Sequence, residues 1–457
     1  MNYFKIARFF LYMPVLLMTV IVTKSTLFPF IVGKYVFFRA TVLVALIVFL
    51  LGLLFDAANA PRMWARLGRI VRQPLFIAVS AFTLAFLLSC LFGVDPAFSF
   101  WSNFERGEGG LQTLAFYFYF TLLLALFDKR EHWNALVGCA IAGGVLMGLY
   151  GFMASLGVSG FVGLRFSEGY RFQGSIGNPA YVAVYALFLI FYCLYLMFEK
   201  KTEKFLTPRN LGLFALIAFF VSIFFLAGTR GAFLGLGTAG VALLAYIGFS
   251  YKRFRWKIAG LIALLFIVGG GLIYFQDSPV VKSIPGSRVF QISISAKTFQ
   301  DRVVIWKMAW DGFKERPVFG WGPENFIKIF DSKFNTEFYK PEAGFGAWFD
   351  RAHSVIFDYL AETGLVGFLS YVSMFVMFYV TFARRNKERE SQLRFTDVAV
   401  RGLFFAIPLA YFVQGLVLFD VSVTSLNLFT VLALATFRFG LNGQENMKTQ
   451  EHKNKRA

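Results

Sequence analysis

The side chains best suited to chemistry in this 457-residue chain are one histidine and a few arginines. His353, one of three histidines, sits in Asp350-Arg351-Ala352-His353-Ser354, where a long polar stretch ends and an apolar one begins. A neutral imidazole placed there is the best available general base near neutral pH. No second histidine is close enough to suggest a metal site, and the plain alternative is an ordinary hydrogen-bonded histidine. Arg230, in Gly228-Thr229-Arg230-Gly231, occupies a very short connection between two apolar runs. A charge at bilayer depth costs roughly 2.5–3.5 kcal/mol, so it must snorkel or hold a partner. Arg302 borders the apolar face of an amphipathic helix expected from Lys297 to Glu315, where Phe299, Val303, Trp306, Trp310 and Phe313 recur near helical spacing. Arg171 precedes the turn Gly177-Asn178-Pro179, whose proline suits the first turn of a following helix. Each arginine can serve as an interfacial anchor or pair with an acid. It can also grip a phosphate through its planar fork.

These residues need elements to hold them, and the sequence offers apolar helices. With 58% hydrophobic residues and a mean hydropathy of +0.63, the chain has more apolar surface than one soluble core could bury. Runs long enough to cross a bilayer are expected at 9–31, 36–55, 74–92, 111–127, 133–156, 179–198, 210–227, 231–249, 257–275, 364–383, 398–418 and 422–440, about twelve helices in all. The first resembles the start of a signal peptide, but no small-residue cleavage site follows, so it is expected to stay as an anchor. The fold class is therefore all-α, a single polytopic membrane domain over 1–457, with a large loop, 276–352, between the ninth and tenth spans.

The net charge of +19 is mostly a topology signal. Arg62, Arg66, Arg69 and Arg72 fall in one connection, Lys129 and Arg130 in the next but one, and Lys200, Lys201, Lys204 and Arg209 in a third. Lys252, Arg253, Arg255 and Lys257 follow, then Arg384, Arg385, Lys387 and Arg389, and last the tail with Lys453, Lys455 and Arg456. All share one side, which the positive-inside rule makes the cytoplasm. Both termini are then cytoplasmic and the long loop external. Scattered short clusters without interleaved aromatic platforms argue against nucleic acid. Basic residues in the external loop, Arg288 and Arg302 among them, are either a solvated face or contacts for an anionic, phosphorylated ligand. Gly320-Trp321-Gly322-Pro323 reads as a tight turn. Ser354 to Thr363 should stand at the outer interface before a membrane helix from Gly364, leaving Asp358 and Glu362 out of lipid. Cys90, Cys139 and Cys193 each lie in an apolar span and read as small buried hydrophobes.

Taken together, the chain resembles the O-antigen ligase family of bacterial polytopic glycosyltransferases. The likeness is carried by Gly228-Thr229-Arg230-Gly231-Ala232, by Asp301-Arg302 through Trp306 with Arg316-Pro317-Val318-Phe319-Gly320-Trp321-Gly322 behind it, and by Ala352-His353-Ser354 followed by Glu362-Thr363-Gly364-Leu365-Val366-Gly367. The resemblance implies a GT-C-like fold in the bacterial inner membrane. It further implies metal-independent, inverting transfer of a glycan from undecaprenyl pyrophosphate on the outer face, within lipopolysaccharide or related cell-envelope biosynthesis. Arg230 and Arg302 match the arginines that hold the donor diphosphate, and His353 matches the essential loop histidine. Lipid A core, a growing polysaccharide and a protein all remain open as acceptor, the last two corresponding to O-antigen polymerases and protein O-oligosaccharyltransferases. A transporter of lipid or polysaccharide is the alternative from another class. It would show internal repeats and broken helices at mid-membrane depth.

Overall fold

The computed structural model describes residues 2–167, 169–200, 206–284, 286–291, 297–338, 348–384 and 394–441, and among them there is no strand. Along the chain run α1 (Tyr3–Leu17), α2 (Val32–Phe55), α3 (Ala60–Ile70), α4 (Pro74–Phe92), α5 (Pro96–Trp101), α6 (Gly110–Leu126), α7 (Arg130–Ser155), α8 (Pro179–Glu199) and α9 (Pro208–Ala227). These are followed by α10 (Arg230–Ser250), α11 (Arg255–Tyr274), α12 (Pro279–Lys282), α13 (Lys297–Glu315), α14 (Phe326–Ser332), α15 (Val355–Arg384), α16 (Phe395–Gly415) and α17 (Ser422–Ala435). Among the described residues, ten helices are long and apolar enough to cross a membrane: α2, α4, α7 to α11, and α15 to α17, the last extended to Leu441 by a π turn. In lipid every backbone polar group must be satisfied within the segment, which selects the helix. Starts are set locally. Proline occupies the first turn of α4, α8 and α9, and the side chains of Asn178 and Thr207 cap α8 and α9.

Two of the expected spans differ. The seventeen-residue α6 is shorter than the ten long helices but lies where 111–127 was expected. The first span, expected at 9–31, is instead α1, only fifteen residues, followed by turns over 18–31. The reason is local competition for the backbone. Thr23 and Thr26 bond each other and nearby carbonyls, and the Thr23 amide donates to Pro29 O at 2.9 Å. At about 1.5 Å per residue, α1 falls short of the roughly 30 Å hydrocarbon core.

The two ends of the bundle have different chemistry. At one end Glu199 holds Arg130 (3.3 Å) and Arg438 (2.5 Å), and Arg62 pairs with Asp128 (2.9 Å). α7 and α8 run antiparallel from there, so Ser155 and Pro179 lie at the opposite end. There Thr229 Oγ1 donates to Pro179 O at 3.3 Å, bringing in the α9–α10 hairpin. The hairpin turns on Gly228, whose φ of +57° a residue with a Cβ adopts poorly.

The expected helix Lys297–Glu315 is present as α13. Its Ile305, Met308 and Ala309 form a small core with Phe326, Ile329 and Phe330 of α14 and Ala361 of α15. The turn after α13 joins the membrane bundle through backbone. The amides of Trp321 and Gly322 donate to Ala361 O (3.0 Å) and Glu362 O (2.8 Å), and Leu365 N donates to Pro317 O (2.8 Å). α15 breaks at Gly364 (φ +64°), where an added Cβ would lie 2.3 Å from Val318 O. The break falls where the membrane helix was expected to begin. Asp358 and Glu362, expected at an outer interface, are instead buried, at 6% and 4% exposure. The reason is that the loop packs over them and supplies Arg351 as a counter-charge.

The arrangement yields a labelling test. In sealed cells an impermeant thiol reagent should modify Cys at exposed Ser332 on α14 and spare Cys at Gly68 on α3, around which a new side chain meets nothing. The reverse pattern would invert the assignment of sides. Background is low because Cys90 and Cys193 are buried and Cys139 is partly so.

Candidate functional site

Four arginines converge at the loop end of the bundle. Arg171 is fixed by bonds from Nε to Ala227 O and from Nη2 to Thr229 Oγ1, both 3.0 Å. This ties it to the hairpin whose next residue is Arg230, the first of α10. Arg288 stands in a short turn anchored by Val289 and Phe290 against Phe225, Phe233 and Leu272. Its Cβ lies 3.8 Å from where a Cβ at Gly228 would be. Arg302 approaches from α13. The four act on one another: burial first, then Arg288 and Arg230, bring the Arg171 guanidinium down to about 10, and burial and then Arg230 lower that of Arg302. Among the described residues no carboxylate pairs with any of the four. Such a cluster carries repulsion that an anion would offset, and guanidinium forks match the oxygens of a phosphate.

His353 is held beside Arg302. Trp306, one turn beyond Arg302, donates from Nε1 to Ala352 O at 3.1 Å and stacks on Phe357 with centroids 5.4 Å apart. The backbone at His353 takes φ +57°, a left-handed conformation uncommon outside glycine. Its ring stands edge-on to Phe349 (5.5 Å) and Phe419 (5.0 Å). Nδ1 lies 3.0 Å from Arg351 O. A carbonyl can only accept, so Nδ1 carries the proton and Nε2 keeps the lone pair of the neutral ring. Burial lowers the His353 pKa below the ordinary imidazole value. The Arg351 carbonyl opposes this, and Arg302 adds to it.

The segment bearing His353 is clamped by charge on both sides. Arg106 grips Asp350 with a fork, Nε to Oδ2 at 2.6 Å and Nη2 to Oδ1 at 3.0 Å. Burial raises the Asp350 carboxyl, but this fork outweighs it and holds the group below its usual range. Arg351 is buried between Glu324 and Glu362, with Nη1 2.8 Å from Glu362 Oε2. Ala352 N donates to Asp358 Oδ1 at 2.6 Å. Among the described residues, no three His, Cys, Asp or Glu side chains are grouped as a metal site.

The residues singled out in the sequence, Arg171, Arg230, Arg302 and His353, therefore lie at one end of the bundle in a connected arrangement. Arg288, read only as one basic loop residue among several, joins them. Arg106 and Glu324 were not singled out. Arg106 meets a partner 244 positions away, so no local spacing signals the pair. Residues 213–372 match a family model described as O-antigen ligase. This range holds Arg230, Arg288, Arg302 and His353 and excludes Arg171. No curated protein matches the chain.

The buried clamp gives a stability prediction. Arg351→Ala leaves Glu324 and Glu362 buried without a counter-charge, which should cost about 3–5 kcal/mol and lower the thermal unfolding midpoint in detergent. Adding Glu324→Gln and Glu362→Gln should recover part of the loss, since neutral amides need no cation. No recovery would mean that Arg351 acts through packing alone.

Proposed function

We propose, from the match of residues 213–372 to the O-antigen ligase family model, that the protein transfers a glycan from a polyprenyl diphosphate carrier, undecaprenyl pyrophosphate, to an acceptor hydroxyl. The observation that carries the reading is a cluster of four arginines, without a carboxylate partner among the described residues, next to a histidine whose Nε2 is free to take a proton. Arg230 and Arg302 hold the diphosphate, with Arg171 and Arg288 completing the cluster. They neutralise charge that builds on the departing diphosphate. The acceptor oxygen bonds to the anomeric carbon as the bond from that carbon to the diphosphate oxygen breaks. The leaving group takes the electron pair, and the hydroxyl proton passes to His353 Nε2. Direct displacement inverts the anomeric centre, and no metal is needed where guanidinium groups supply the positive charge.

The reading places the site on the outer face of the inner membrane with both termini cytoplasmic, because the basic clusters belong inside. The acceptor is lipid A core, a growing glycan or a protein. A transporter would need its charges along a mid-membrane path, whereas these gather at one end. Reconstitution with a lipid-diphosphate-linked glycan and each acceptor class, following polyprenyl diphosphate release and product, tests transfer and names the acceptor.

Arg230→Lys and Arg302→Lys should each lose roughly 10- to 100-fold in activity, because a point charge replaces a fork. Full activity at normal membrane level would leave that arginine an anchor. His353→Ala should lose on the order of 10²- to 10⁴-fold in turnover while still binding donor. Weak donor binding with normal turnover would instead assign His353 to the diphosphate. The pH profile provides a separate check. Only the neutral ring accepts a proton and its pKa is lowered, so activity should rise with pH through a midpoint below about 6.5 and level off by neutrality. A midpoint above that value would count against His353 as the base.

A further inference from the structure

Across the Asn178-Pro179 turn from the arginines lies a cavity of about 230 Å³, closed on one side by the 18–31 segment in place of the expected first span. Phe28, Phe30 and Tyr181 line it with aromatic surface, and Lys34, Asn178 and Arg106 bring polar groups to its wall. Several of these donors are left over from the fold. Tyr181 is only 6% exposed, yet its hydroxyl makes no hydrogen bond among the described residues. Buried phenols usually find a partner, so one facing a cavity without one points to a ligand. Lys34, 3% exposed, gives two of its three N–H groups to the carbonyls of Ile21 and Ser175 (2.8 Å), and the third has no partner among the described residues. Asn178 uses its oxygen to cap α8, and its amide N–H groups have no partner among the described residues.

The cavity is coupled to the base. The Tyr181 ring meets Phe419 at 5.7 Å, and the same Phe419 ring meets His353 at 5.0 Å. Arg106, in the cavity wall, lies over Phe419 at 5.3 Å and grips Asp350. His353 thus adjoins the arginine cluster through Arg302 and the cavity through Phe419. Direct displacement requires the nucleophile to arrive on the side of the anomeric carbon opposite the leaving diphosphate. We propose that this cavity, between the 18–31 segment and α8, binds one sugar ring of the acceptor, with Tyr181, Lys34 and Asn178 donating to its oxygens and the aromatic rings covering its C–H face. The inference rests on the transferase reading. The cavity is below the roughly 300–1,000 Å³ of sites for drug-sized ligands, and its mix of apolar wall and few convergent donors suits one small polyhydroxylated ring.

Sugar binding can be measured apart from transfer. Wild-type protein in nanodiscs, probed by saturation-transfer NMR with millimolar glucose, N-acetylglucosamine and glucuronate, should transfer signal to the ring protons of at least one. Ile31→Trp, at a half-buried cavity-lining position, should abolish that signal by filling the space. Tyr181→Phe, which keeps the packing on Phe419, should weaken it. In the reconstituted reaction Tyr181→Phe should raise the acceptor KM roughly 3- to 10-fold, the loss of one hydrogen bond, with donor binding unchanged. No signal with any probe, or a signal that survives Ile31→Trp, overturns the proposal and leaves a water-filled space. An unchanged acceptor KM in Tyr181→Phe also overturns it. Sugar binding that Ile31→Trp abolishes and Tyr181→Phe weakens, in a protein that does not release polyprenyl diphosphate, would sink the transferase reading and keep the cavity as a sugar site.

Discussion

The loop end depends on one buried guanidinium. Arg351 joins Glu324, from the turn that follows α13, to Glu362, inside α15, and all three side chains are withdrawn from solvent. A buried ion pair adds little net stability because desolvation offsets attraction, but a cation that fits only between two particular carboxylates fixes register. The backbone bonds between 317–322 and 361–366 repeat the same alignment, and the break at Gly364 gives them room. The loop is thereby fastened to the membrane helix at the point where His353 must be held.

That fastening separates two kinds of arginine. Arg106 and Arg351 are neutralised by Asp350, Glu324 and Glu362 and act as framework. Arg171, Arg230, Arg288 and Arg302 repel one another and, among the described residues, have no carboxylate beside them. The second arrangement is unfavourable in isolation and is sustained by the rest of the fold. Arg171 is bonded to the α9–α10 hairpin, Arg288 sits on a packed turn, and Arg302 rides on a helix held by Trp306. Rigid support of uncompensated charge is what anion recognition requires. The orientation of His353 follows from the same framework, since the Arg351 carbonyl that sets its tautomer belongs to the clamped residue.

Much of this was legible in the residues. Apolar runs too long for a soluble core impose helices in lipid, so the membrane class and most spans followed from composition and length alone. Periodicity located α13 to its end residues, Asn178-Pro179 and Gly320-Trp321-Gly322-Pro323 marked turns because glycine and proline have backbone properties that other residues lack, and helix length placed the membrane part of α15 from Gly364. Arg230 stood out because charge is expensive near lipid, Arg302 because it borders the apolar face of an amphipathic helix, and His353 because a titratable ring sits where the polar loop meets an apolar run. The first span was misread because apolar content alone does not reveal that Thr23, Thr26 and Pro29 draw the backbone into turns.

The rest depends on contacts between residues far apart in the chain. Arg106 with Asp350, Arg351 with Glu324, and Arg288 with the hairpin have no signature in spacing, because side-chain pairing at such separations is created only when helices pack. The same holds for Asp358 and Glu362. Their i, i+4 spacing announced a shared helical face, but whether that face met water or a buried arginine was left to the loop that folds over it. Local sequence thus settles which segments are helical and where they turn, since those preferences act over a few residues. Which charges end up neutralised and which remain free to bind is set by long-range packing, because desolvation and Coulomb energy depend on three-dimensional neighbours.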